Sequence, residues 1–206
     1  MDSLEALTRG APVAGLLLAV IVAASVLGLT AAPAVIEKSL FRPYWFAREN
    51  EWATAITSGF VHADLMHLLF NGFTFWAFAF GLERQIGSER FFALYAFGLL
   101  ASDFGTWVRH RTDPEYRTLG ASGAITAVLF ASIVYFPTGS IFILPIPVPI
   151  PSPLFALAYL GYTYYASRQP RGRINHDAHL SGALAGIAFV ALTDGEAIDR
   201  AWRLIF

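Results

Sequence analysis

Cysteine is absent from this 206-residue chain, which removes disulfide frameworks, thiolate nucleophiles and cysteine-based zinc sites. Charge is scarce: 14% of the residues are charged, where soluble domains average about 25%. Neither sign dominates, with 14 Lys+Arg against 15 Asp+Glu, so there is no basic field of the kind that holds nucleic acid. So little charge also excludes a coiled coil, and so much apolar residue excludes disorder. What is present is hydrophobic: 56% of the chain, with a mean hydropathy of +0.54. Such a chain is a membrane protein or an unusually greasy core, and the placement of its charges decides between them.

No charge falls between Gly10 and Ile36, and a membrane-spanning helix needs about 20 apolar residues. A first span is therefore expected over about 11–32. Asp2 and Glu5 against Arg9, with Pro33 following any cleavage at Ala32, read as a retained helix rather than a signal peptide. Further spans are expected at about 59–82 and 91–108. The long uncharged run from Thr118 to Ser167 is broken by Pro137-Thr138-Gly139-Ser140 and by Pro145, Pro147, Pro149, Pro151 and Pro153. Alternate prolines cannot continue a helix. The run thus resolves into a span over 119–136, an extended apolar connection, and a span over 154–167 opened by Ser152-Pro153. A sixth span is expected over 178–193, with an amphipathic tail after it. The expected fold is all-α: one polytopic membrane domain over 1–206, a bundle of six transmembrane helices.

Polar groups inside such helices are costly and default to function, with inter-helix packing and hydrogen bonding as the rival. The second span holds His62, His67 and Asn71, and the last two, four apart, share a helical face. The fourth span opens Gly120-Ala121-Ser122-Gly123. The sixth opens His176-Asp177-Ala178-His179 and carries Gly182 and Gly186, a GxxxG pair suited to close helix approach. Asp103 in the third span reads as an interfacial or structural acid. Spans 2, 4 and 6 run in one direction, so the polar residues at their N-terminal ends fall in a single layer. That coincidence favours chemistry, and the chemistry that fits is nucleophilic acyl transfer. Ser122 is the candidate nucleophile and His179 its candidate base; the Asn71 amide, a His67 ring N–H and the backbone N–H at the start of span 4 are candidate oxyanion donors. Asp177, two residues from His179, does not face it on a helix, so the expectation is a dyad rather than a triad.

His62-x4-His67-x3-Asn71, Gly120-Ala-Ser122-Gly123, Ala178-His179-x2-Gly182-x3-Gly186 and Gly81-Leu-Glu83-Arg84-x2-Gly87-Ser88 together resemble the rhomboid family of intramembrane serine proteases, in the family's order and spacing. The resemblance implies a six-helix core with Ser122 as nucleophile and His179 as general base. It implies that the Ser122 amide, His67 and Asn71 bind the oxyanion, and that His62, Gly120, Gly123, Gly182 and Gly186 are structural. It implies no metal or cofactor, and substrates that are single-span membrane proteins with weak helices and a small residue before the cut. The short fifth span would be a lateral gate. The chain departs from the pattern twice. The first-loop Trp-Arg pair is not evident, the nearest text being Trp52-Ala53, displaced by a residue; and Thr126 stands one turn after the serine, where family members often place an aromatic that packs on the catalytic histidine.

Two other functions compete with this reading. A catalytically inactive relative would bind membrane clients without needing Ser122 and His179. A transporter using the intramembrane histidines and Asp103 would need paired carboxylates or an inverted repeat, and neither is evident. The expected setting is the lipid bilayer of a bacterial-type plasma membrane, in a multi-pass arrangement. Alternating spans place Arg9, Arg84, Arg90, Arg200 and Arg203 on one face, and Lys38, Arg42, Arg48, Arg109, Arg111, Arg117, Arg168, Arg171 and Arg173 on the other. The positive-inside rule assigns the second face to the cytoplasm. The resemblance implies the reverse, with the N-terminus cytoplasmic.

Overall fold

Helices occupy all six apolar stretches. In chain order the elements are α1 (Pro12–Thr30), three short first-loop helices α2 (Pro33–Ser39), α3 (Pro43–Phe46) and α4 (Thr54–Thr57), then α5 (Leu65–Ile86), α6 (Ser88–His110), α7 (Ser122–Tyr135), strands β1 (Ser140–Ile143) and β2 (Ile146–Pro151), α8 (Ser152–Ala166), α9 (His176–Thr193) and α10 (Gly195–Ile205). This computed structural model describes residues 9–143, 146–169, 172 and 174–206; Asp2, Glu5, Pro145, Arg171 and Arg173 lie outside them. Helices α1, α5 and α6 are each long and apolar enough to cross a membrane, and α9 with α10 adds a fourth if that bent pair is one span. The difference from six lies chiefly in α7 and α8, which have 14 and 15 residues. Each rises only about 21–23 Å, against a hydrocarbon core of about 30 Å.

Two boundaries differ from expectation for local reasons. The second helix starts at Leu65 rather than near Gly59, because the Asp64 carboxylate accepts the His67 N–H at 2.8 Å and caps the helix there. Ser58–Phe60 forms a separate 3-10 turn, so His62 precedes the helix instead of riding on it. The expected Ser152 cap is also absent. Ser152 is the first helical residue, and its N–H donates to the Gly139 carbonyl at 3.0 Å.

The apolar connection is a hairpin, so the all-α description needs one small antiparallel sheet, paired Ser140↔Pro151, Ile141↔Ile150 and Ile143↔Ile146. Strand N–H groups alternate in direction. With Ser152 N–H pointing toward β1, the missing donors of Pro149 and Pro151 fall on the outer edge, where a proline costs no ladder bond.

Helix α7 is the centre of the bundle, buried at every residue from Gly123 to Ile133. It packs on α5, α6 and α9. The core beside it contains Phe75, Phe91, Leu94, Tyr95 and Val128, all essentially sealed from solvent. Small residues set the helix spacing. A Cβ on Gly182 would collide with the Gly123 carbonyl, and one on Gly186 with the Ala127 carbonyl, so the α7 and α9 backbones touch along the GxxxG seam.

At the end of the bundle away from Ser122, the buried Glu83 carboxylate caps α1. It accepts the Ala14 N–H at 2.6 Å, the Val13 N–H at 3.1 Å and the Ser88 hydroxyl at 2.6 Å. A carboxylate there satisfies orphan donors and complements the helix dipole.

Candidate active site

The N-terminal ends of α5, α7 and α9 converge. Ser122 is the first residue of α7, where a helix leaves its N–H groups unpaired. His67 lies in the first turn of α5 and His179 at the fourth position of α9. Gly120 links the first two. Its φ of +124° is a glycine conformation, and a Cβ there would stand 2.6 Å from Cε1 and 3.0 Å from Nε2 of His67. The Cε1–Nε2 side of the imidazole therefore lies close against the backbone that delivers Ser122. Gly123 admits two neighbours: a Cβ there would collide with the Ser102 side chain of α6 and stand 3.3 Å from the Ala178 carbonyl, next to His179.

Behind His67, the sealed His62 ring meets it edge-on at 4.8 Å. The Ser25 hydroxyl of α1 sits 2.9 Å from His62 Nδ1 and 3.3 Å from the Phe60 carbonyl. Held between the Ser25 hydroxyl and the His67 ring, this imidazole buttresses the first turn of α5. Asn71 is buried, and its amide donates to the His67 carbonyl at 3.1 Å. That bond uses one of the two amide hydrogens and leaves the other for a ligand.

The N-terminal end of α9 is held by polar contacts from α6 and the loop before α7. Asn175 Oδ1 caps the helix, accepting the Ala178 N–H at 3.0 Å, while its Nδ2 donates to the Thr106 and Thr118 hydroxyls at 3.0 and 3.3 Å. Asp177 turns away from His179 and pairs with His110 Nε2 at 2.8 Å, and His110 stacks on Tyr116 at 3.6 Å. The pair places a carboxylate in the first turn of α9, where it complements the helix dipole, and ties that turn to the last turn of α6. Among the described residues no carboxylate hydrogen-bonds to His179.

The Ser122 hydroxyl makes no hydrogen bond among the described residues, to His179 or to any other group. Such bonds are commonly long or misaligned in resting enzymes and tighten with substrate. Thr126 donates its hydroxyl to the Ser122 carbonyl at 2.7 Å. The ring beside His179 comes from elsewhere: Tyr159 of α8 lies nearly parallel to it, centroids 6.4 Å apart at 24°. A cavity of about 330 Å³ adjoins the N-terminal end of α9, lined in part by Tyr116, Arg117, Tyr162, His176 and Asp177. Asp103 accepts from the Ser58 hydroxyl at 3.5 Å. Tyr159, Ser25 and His110 carried no signal in the sequence, since each reaches the site only through tertiary packing across 20 to nearly 70 positions.

The first loop is anchored over this end. Phe41 and Thr118 exchange backbone hydrogen bonds at 2.9 and 3.0 Å, Gly120 N–H donates to Ser58 at 2.8 Å, and Arg42 pairs with Glu51. Trp52 packs edge-on against Phe46.

The Rhomboid domain family profile matches residues 49–194. The chain is 43% identical over 77 residues to "Putative rhomboid protease YdcA" of Bacillus subtilis, a match covering 37% of each protein. It is 32% identical over 150 residues to the mitochondrial presenilin-associated rhomboid-like protein A of Danio rerio, covering 72% of this chain and 38% of that one. The human mitochondrial presenilin-associated rhomboid-like protein is 31% identical over 146 residues, covering 66% and 36%. The matches thus span little more than a third of these relatives' lengths.

Proposed function

The chain belongs to the rhomboid family, and from that premise we propose that it is an intramembrane serine endopeptidase. It is an integral membrane protein, and the proposed form is a single six-span domain over 1–206 whose short members α7 and α8 cross a locally thin bilayer. The substrates proposed are transmembrane proteins cut in or beside a span, and the setting proposed is a bacterial-type plasma membrane.

In the proposed reaction the Ser122 hydroxyl adds to the scissile carbonyl carbon while His179 accepts its proton. The resulting oxyanion is held by the Ser122 N–H, a His67 ring N–H and the free hydrogen of the Asn71 amide. Collapse expels the amine, which takes the proton from His179 and leaves an acyl-Ser122 ester. Water then adds to the ester, giving its proton to His179, and the proton returns to Ser122 as the carboxylic acid departs. The observation that carries this reading is the convergence of three helix N-termini around Gly120 and Gly123, which brings His67, Ser122 and the backbone preceding His179 into one layer.

A fluorophosphonate probe, together with cleavage of a transmembrane test substrate, examines the proposal. Wild type should label and cleave; Ser122→Ala and His179→Ala should do neither. A probe signal that persists in Ser122→Ala, or a wild type that neither labels nor cleaves, sinks the protease. The second outcome would favour the client-binding reading, to which the unpaired Ser122 hydroxyl lends itself.

A further inference from the structure

Three facts concern the ring beside His179. Position 126, one turn after Ser122 on α7, carries a threonine whose hydroxyl is turned back to the Ser122 carbonyl, so α7 offers no aromatic to the histidine. Tyr159 of α8 lies along the His179 imidazole at 6.4 Å and 24°. Tyr159 is itself fixed by Phe155 on its own helix and Phe130 on α7, both at 5.5 Å. A centroid separation below about 7 Å with near-parallel planes is an offset aromatic contact. Among the described residues, the other ring touching His179 is His176, which meets it edge-on at 6.0 Å and belongs to the same helix, so Tyr159 is the inter-helix partner there.

We propose that Tyr159 is a positioning residue for His179. From α8 it supplies the stacking surface that α7 lacks, and it thereby makes the orientation of the general base depend on α8 being docked. The inference rests on the reading of Ser122 and His179 as a proteolytic pair. The placement on α8 has a consequence. Only Ser152 and Thr163 of α8 are buried, and the helix packs chiefly on α9 with a slighter contact on α7. An element with so little buried surface is among the first to move. When α8 swings out to admit a substrate, Tyr159 leaves His179, and when α8 closes on the bound segment the ring returns. The base is thus fully oriented only behind a closed helix, which couples entry to chemistry.

Kinetics of the full chain in proteoliposomes test this. Tyr159→Ala should lower kcat roughly two- to tenfold, the fold-change equivalent to one aromatic contact, with little change in KM. Tyr159→Phe keeps the ring and should restore most of that loss. The decisive variant is Tyr159→Ala combined with Thr126→Tyr, which returns an aromatic from α7 into the space vacated by Tyr159 and should recover kcat. A Tyr159→Phe protein as slow as Tyr159→Ala, or a folded double variant with no recovery, overturns the proposal. So does a loss confined to KM.

A second measurement does not depend on catalysis. The rate at which diethyl pyrocarbonate modifies His179, followed by mass spectrometry, should rise in Tyr159→Ala and fall back in the double variant. Unchanged rates across the three proteins overturn the stacking role. If wild type neither labels nor cleaves, the proteolytic reading fails, and the modification rates still decide whether Tyr159 holds His179.

Discussion

At the scale of single residues, Gly120 makes the sharpest demand on the chain. Its φ of +124° excludes ordinary side chains, and its missing Cβ is the space in which the His67 ring sits, 2.6 Å away at the nearest atom. Gly120→Ala must either twist the turn that delivers Ser122 or push His67 off the oxyanion position. The expected result is a loss of Ser122 labelling on the order of a hundredfold, the cost of removing one oxyanion donor, with the thermal unfolding temperature much less affected. Labelling at the wild-type rate would mean that His67 takes no part. The site residues were legible in the sequence to the extent that their chemistry repeats on a helix. His67 and Asn71 four apart, and glycines flanking Ser122 and following His179, are local patterns, and local patterns survive without coordinates. Tyr159 is one of eight tyrosines with nothing local to mark it, and the His110–Asp177 pair joins positions 67 apart. Such contacts exist only after the helices pack.

At the scale of elements, α10 has an arrangement that packing alone does not explain. It leaves α9 at 111°, and the corner is fixed: Asp194 caps α10 through the Ala197 N–H at 3.1 Å and accepts the Tyr135 hydroxyl from the end of α7 at 3.0 Å. Ala197 and Ala201 face the bundle. Trp202, Ile205 and Phe206 form an exposed apolar edge, 64% and 84% exposed at the two aromatics, and Glu196, Asp199, Arg200 and Arg203 form a polar one. A helix turned across the end of a membrane bundle with these two edges belongs in the bilayer interface, tryptophan edge toward the acyl chains. The chain has no cysteine, so single Trp202→Cys, Ile205→Cys, Asp199→Cys and Arg203→Cys proteins carry one spin label each. In liposomes with a nickel chelate equilibrated on both sides, labels at 202 and 205 should collide with oxygen and be shielded from nickel. Labels at 199 and 203 should show the opposite. Equal nickel access at all four would place the helix in water. The elements themselves were legible because charges stop where apolar helices begin. Boundaries were less so, since the start of α5 depends on one capping carboxylate, Asp64. The hairpin was read only as extended backbone, because alternating prolines declare conformation but not the strand with which they pair.

At the scale of the whole molecule, two physical rules disagree about which way the protein faces. Counting cations on alternate faces gives nine around the catalytic end and five around the other, which would put the site in the cytoplasm. Several of those nine are engaged in the folded protein. Arg42 is paired with Glu51, while Arg48, Arg111 and Arg168 lie over Tyr44, Trp107 and Tyr164 at 4.0, 5.2 and 4.4 Å. Guanidinium groups resting on aromatic rings at helix ends are the snorkelling, interfacial arrangement that either leaflet accommodates. At the opposite end Arg200 is tied to Asp194 and Glu196. These contacts hold part of the excess at helix ends without removing it, and the orientation proposed is the one implied by the chain's family. The 18-residue α9 carries the chain about 27 Å from the catalytic layer, so α10 marks the other face of the membrane. A reporter fused after Phe206 should therefore read cytoplasmic, and one inserted at Asp113, in the loop before α7, should read external. The reversed pair would show that the arginine count governs insertion, and it would move the proposed cleavage to the cytoplasmic side without altering the site that performs it.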